Sequence, residues 1–264
     1  MKKYLFHIFY IALAAILCSC TQSSAGTESP KQHINPETDL LYVDIPENIP
    51  SQIKNYKGFT LSFNKMNSTP NWVAWELLAS ETSGASSRTN KFWKDPDIDG
   101  CPETADYKNS GYDRGHMIPA ADQKWDPEAM HQSFVMANIC PQDHALNARA
   151  WSTLEKKCRL WAQRDSALVI IAGPIYQPSD RTRIGYQGVR VPSAFFKVIA
   201  APYIDSPRGI AFVYPNMRAP GNMQNYAVSI DEVEKITGFD FFAKLPEETQ
   251  DIIESNFSFK EWNQ

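Results

Sequence analysis

The chain has 264 residues, of which 43% are hydrophobic, 12% aromatic and 21% charged; this excludes a disordered or fibrous protein and leaves ample sequence for a core without disulfide staples. With 26 Lys+Arg against 30 Asp+Glu, the formal charge of −4 excludes a polyanion binder held by overall basic charge. Any nucleic-acid contact would need a local basic patch.

At the start, Lys2 and Lys3 precede an apolar run from Tyr4 to Leu17, interrupted by His7. A membrane span needs about 20 residues, so this run is too short, and its basic flank describes an export signal. The segment Leu17-Cys18-Ser19-Cys20 resembles a bacterial lipobox. It implies a leader over 1–19, acylation of Cys20 and an exported lipoprotein anchored to a membrane, periplasmic or at the cell surface. Cleavage near Ala25 with free secretion is the alternative. Residues 20–38, rich in Ser, Thr, Gln, Pro and Glu, read as a flexible tether. Residues 39–264 show no repeat and no second break, so they form one domain.

Within that domain, Gly58 to Phe63 and Trp72 to Leu78 alternate as an early hairpin. Helices are expected at Pro127–Gln132 and Asn147–Arg164. Strands follow at Ala167–Ala172, Ala194–Ala200 and Gly209–Tyr214. Further helices are expected at Ser229–Thr237, opened by the capping-box order Ser-Ile-Asp-Glu, and at Pro246–Asn256. Strands separated by single helices without regular alternation give an α+β class.

The Gly-x-Ser-x-Gly elbow, the Walker loop, His-Glu-x-x-His and a dinucleotide fingerprint are all missing. Of the histidines beyond the leader, only His116 sits among a guanidinium, a carboxylate and glycines, in Gly111-Tyr-Asp-Arg-Gly-His116. On an ideal α-helix, Asn147, Trp151, Leu154 and Glu155 share one side. Eight residues rise about 12 Å. That is too far for Asn147 and Glu155 both to touch one small cation, so if the two served one ion, one would be a direct and the other a water-mediated ligand. Read alone, Asn147 is a helix cap.

Asp113-Arg114-Gly115-His116 matches the DRGH signature, and the chain resembles the DNA/RNA non-specific endonucleases of the ββα-metal (His-Me finger) group. The likeness continues through Met117 to Asp122, Asn138 to Gln142, Leu146-Asn147, Trp151 and Leu154-Glu155. Upstream it reaches Arg88 and Asp95-Pro96; downstream it reaches Ala172-Gly173-Pro174 and the Ser229 helix. It covers most of residues 56–245. The resemblance implies a central, mostly antiparallel sheet flanked by helices, and hydrolysis of phosphodiester bonds in DNA and RNA leaving a 5′-phosphate. His116 would be the general base. Asn147 would be the direct ligand of Mg²⁺, for which Mn²⁺ can substitute, with Glu155 acting through a metal water. Arg114 and Arg88 would hold phosphate, with Arg149 as an additional cation. Asn138 and Gln142 would support the site, by fixing the histidine loop or by reaching substrate. Asp113 would brace the loop or pair with an arginine.

Other readings stay beside this one. The chain could use the same fold as a non-catalytic nucleic-acid-binding module on the surface, or be an anchored structural protein. His131 and His144 form no closed zinc spacing with Cys140 and read as surface or supporting residues. Cys101, Cys140 and Cys158 are odd in number, with Cys101–Cys158 the expected pair if an exported compartment allows one. Trp151 and Trp161 fit a buried stripe, whereas Trp72, Trp75 and Trp93 are candidate platforms for bases. A homodimer is compatible with all of these.

Overall fold

Apolar runs that alternate between two buried faces build the central sheet. The computed structural model describes residues 40–263, so the expected leader, Cys20 and the 20–38 tether lie outside the described residues. The sheet has seven strands: β2 (Gln52–Asn55), β3 (Thr60–Asn64), β4 (Thr69–Leu78), β7 (Ala167–Ile175), β10 (Ala194–Ala201), β11 (Arg208–Pro215) and β12 (Ala227–Val228). The order is β12-β11-β10-β7-β4-β3-β2, antiparallel at every step. Four short strands, β1 (Val43–Asp44) with β13 (Asp240–Phe241) and β8 (Arg183–Ile184) with β9 (Val189–Arg190), pair outside it.

Both faces of the sheet are covered, which is why its central strands read as continuous apolar runs. Val73, Trp75, Ile170, Phe195 and Phe212 point into one core, and Trp72, Ala74, Val169, Ile171, Phe196 and Val198 point into the other. Each fully buried side chain of this size contributes about 1.5–3 kcal/mol. The second face is closed by α3 (Ile230–Thr237) and α4 (Glu247–Glu254), through Ile230, Val233 and Ile253. Ser229 caps α3 as expected, its Oγ accepting from the Glu232 N–H at 3.2 Å. Gly238, left-handed at φ 74°, ends it. A last turn, α5 (Phe259–Trp262), returns Trp262 to the first core.

That first face carries the motif. The hairpin of β5 (Asp113–His116) and β6 (Ile139–Gln142) leads into a long helix whose regular part is α2 (Ser152–Asp165), together a ββα unit. Between the strands lies α1 (Pro127–Gln132).

Two expectations are corrected here. The long helix does not begin at Asn147: Asp143 caps it, its carboxylate accepting from the N–H groups of Ala145 and Leu146, and Leu146–Trp151 winds as a π-helix. No Cys101–Cys158 disulfide forms either. Cys101, Cys140 and Cys158 are all free and buried, and burial pushes the Cys101 thiol up to about 11 and the Cys158 thiol up to about 12. Among the described residues no helix is long and apolar enough to cross a membrane.

Candidate active site

His116 ends β5 with its ring wedged between Phe92 (5.4 Å between centroids) and Phe134 (5.0 Å), and the residue is only 8% exposed. The Trp151 indole N–H donates to the His116 carbonyl at 3.2 Å, tying the strand end to the helix. His116 Nε2 is buried without a hydrogen-bond partner. Burial and the Arg88 charge, followed by that of Arg114, push its pKa down to about 3 against a backbone hydrogen bond at Arg114 that raises it. The ring is therefore neutral near pH 7 and its Nε2 is an unpartnered, buried nitrogen.

The two guanidinium groups are held by the same aromatic rings. Arg114 lies over Phe92 at 4.3 Å and Arg88 over Phe134 at 5.1 Å, both on exposed side chains. Arg88 Nε also donates to Asn90 Oδ1 at 2.7 Å, so its loop, read from sequence as Ser/Gly-rich, has internal support.

Asp113 serves as a brace and, among the described residues, pairs with no arginine. Its Oδ2 accepts from Asn147 Nδ2 at 2.9 Å and contacts His144 Nδ1 at 2.9 Å. His144 thus stands beside the site as a supporting residue. The bond to Asp113 also orients the Asn147 amide, leaving Oδ1 unspent on protein groups. Asn147 sits inside the π turn, a feature often found at functional sites. An amide oxygen and a half-buried carboxylate carried by the same helix are both hard oxygen donors, the kind of group that Mg²⁺ takes. Glu155 is that carboxylate; its surroundings push it up to about 7 mainly by burial, with Lys197 opposing, and a bound cation would favour its ionised form.

Behind Glu155 lies a group that sequence reading missed. Lys197 is fully buried in β10, its Nζ 4.5 Å from the Trp151 ring centroid and 4.9 Å from that of Trp75. It donates to the Met117 carbonyl at 3.4 Å. Buried Asp122 accepts from Arg159 at 2.7 Å and from Trp75 Nε1 at 3.3 Å. The available signal was a single lysine inside the apolar run Ala194–Ala200, facing the motif side with Phe195 and Ile199.

The remaining site residues divide. Asn138, fully buried, is spent on backbone: its Oδ1 accepts from Ile118 N–H at 3.0 Å, and its Nδ2 donates to Ile118 O and Ser133 O. It fixes the loop after His116. Gln142 is also fully buried, packed under Gly115, where any side chain would collide with its carboxamide. Its Oε1 and Nε2 are buried without a hydrogen-bond partner, and the glycine of the motif is explained by that close approach. Arg149 is exposed on the π turn beside Tyr214 and Tyr226, whose rings stack at 4.5 Å. Trp72 and Trp75 are buried, and Trp93 stacks on His131 at 5.3 Å, so none of the three is a free platform.

A ββα unit on an antiparallel sheet, with a histidine ending the first strand and an asparagine on the following helix, defines a ββα-metal nuclease fold. The chain belongs to the DNA/RNA non-specific endonuclease family, which it matches over residues 36–248. It is 31% identical over 231 residues to "Nuclease 1, mitochondrial" of Schizosaccharomyces pombe, covering 79% of this chain and 71% of that protein. It is 34% identical to "Nuclease EXOG, mitochondrial" of Danio rerio, covering 72% of this chain and 60% of that protein. A nuclease of Nostoc is 33% identical, with 75% of each chain covered. Among solved structures, the EndoG/EndoGI complex aligns with a TM-score of 0.70 at 27% identity, covering 76% of this chain and 90% of that one.

Proposed function

We propose that this chain is a Mg²⁺-dependent, sugar-non-specific endonuclease that hydrolyses phosphodiester bonds in DNA and RNA. The observation that carries the reading is the neutral, buried His116 with an unpartnered Nε2, flanked by Arg88 and Arg114. Such a ring can take a proton from an attacking water. An arriving phosphodiester brings negative charge to the two guanidinium groups, offsets their effect on His116 and so raises its basicity when substrate is bound. Arg88 and Arg114 bind and orient the phosphate, while Asn147 and Glu155 would hold the cation. Bound there, Mg²⁺ would supply positive charge for the transition state and the leaving 3′ oxygen. Cys20 and the Leu17-Cys18-Ser19-Cys20 segment support export and lipid anchoring as part of the same proposal.

The test is digestion of plasmid DNA and of RNA by the purified protein with Mg²⁺ and with EDTA. We expect cleavage of both polymers that EDTA stops, and a fall of at least about 100-fold in His116→Ala, with an unchanged circular dichroism spectrum. Full cleavage by that variant would remove His116 as the base.

A further inference from the structure

On the sheet face opposite the motif, three carboxylates meet where α3 lies against the end of α4. Asp231, Glu234 and Glu254 each bring one oxygen within 4.8 Å of the others. Among the described residues no other cluster of His, Cys, Asp and Glu side chains draws three ligand atoms together in this way. Glu234 Oε1 accepts from the Phe241 N–H at 2.8 Å. Glu254 differs: it is 6% exposed, and its Oε1 is buried with no hydrogen-bond partner. A buried carboxylate without a partner is costly, and the carboxyl end of a helix already carries partial negative charge.

Among the described residues no cation relieves it. The last turn of α4 has no basic residue, and Lys235 on α3 reaches Glu232 at 3.9 Å. Asp240 and Asp251 add further negative charge around Glu254. Nor can the helix end move away freely. A side chain at Gly209 would collide with the Ile253 carbonyl, so α4 is pressed directly onto β11.

We propose that Asp231, Glu234 and Glu254 form a structural Ca²⁺ site that ties α3 to the end of α4. Ca²⁺ binds oxygen at 2.3–2.6 Å in flexible geometry, so two of its ligands lie up to about 5 Å apart, and it takes carboxylate-rich sites more readily than Mg²⁺, which keeps most of its waters. Three carboxylate oxygens drawn within 4.8 Å of one another, one of them buried and unpartnered, are a donor set that suits Ca²⁺ after a small closure, with water completing its six to eight ligands. The ion supplies the partner that Glu254 lacks and clamps the helices over the second core.

Calorimetric titration of the metal-stripped full chain with CaCl₂ tests this. Asn147→Ala is included throughout so that the nuclease site does not contribute. One saturable Ca²⁺ is expected, with affinity lowered at least about tenfold in Glu254→Gln and in Glu234→Gln, since each removes a charged ligand. Saturating CaCl₂ is also expected to raise the thermal midpoint of the Asn147→Ala chain by several degrees, and not that of the Glu254→Gln double variant. Absence of Ca²⁺ uptake, or uptake unchanged by both glutamine substitutions, overturns the site.

Discussion

At the scale of single residues, His116, the proposed base, also bears on stability. An unfolded histidine titrates near 6.5, whereas in the fold burial and Arg88 push His116 down to about 3. Between those values the unfolded chain binds a proton that the folded chain refuses. This contribution to stability is therefore intact above pH 6.5 and is lost progressively as pH falls toward 3, by up to about 1.4 kcal/mol per pH unit. Denaturant unfolding of metal-free protein between pH 7.5 and 5 is expected to show a steeper loss for wild type than for His116→Gln. Parallel curves would mean that His116 titrates normally and is not the desolvated base described above. The buried Lys197 and Asp122 oppose one another behind the site in the same way, each shifted toward neutrality by burial and held back by opposite charges.

At the scale of elements, the hairpin carries His116, the proposed base, and the helix carries Asn147, the proposed metal ligand, and Asp113 joins the two. Because Asp113 Oδ2 takes the Asn147 N–H, the Asn147 amide cannot flip without losing that bond. In Asp113→Ala the amide is free to present nitrogen to the cation as often as oxygen. Outer-sphere partners of this kind are worth about 10–100-fold in metal affinity. The Mg²⁺ concentration needed for half-maximal cleavage is expected to rise by that factor, with partial recovery in Asp113→Asn, which keeps an acceptor. An unchanged Mg²⁺ dependence would show that the brace does not matter. Sequence spacing placed Asn147 and Glu155 on one helix correctly, but with an ideal α-helical turn. The π turn at Leu146–Trp151 was not legible because its i→i+5 bonding leaves no compositional mark, and Asp143 as the cap was hidden behind the more prominent Asn147. From sequence, Gln142 stands open between supporting the site and reaching substrate for a related reason. A polar residue in a motif suggests substrate, yet only the close approach of Gly115 reveals that it lies beneath the strand.

At the scale of the whole molecule, the apolar runs at β4, β7, β10 and β11 were visible because both faces of each are buried, whereas the strand order β12-β11-β10-β7-β4-β3-β2 depends on long-range pairing that no local pattern encodes. The charge of −4 raised a related question, since an acidic chain is a poor polyanion binder on average. The structure places Arg88 and Arg114 on the two rings that hold His116, and Arg149 on the π turn that carries Asn147, so the cations are local to the motif and all three are exposed. Neutralising three phosphates of duplex DNA gives a slope of log K against log salt of about −2.7. Binding of a short duplex to His116→Ala, at fixed Mg²⁺ and varied NaCl, is expected to follow that slope, and adding Arg149→Ala to reduce its magnitude by about one. The reduction should be the same for different sequences, because a phosphate contact carries no base information. A slope untouched by Arg149→Ala would place that arginine outside the path of the nucleic acid and confine the cationic footprint to the two arginines stacked beside His116.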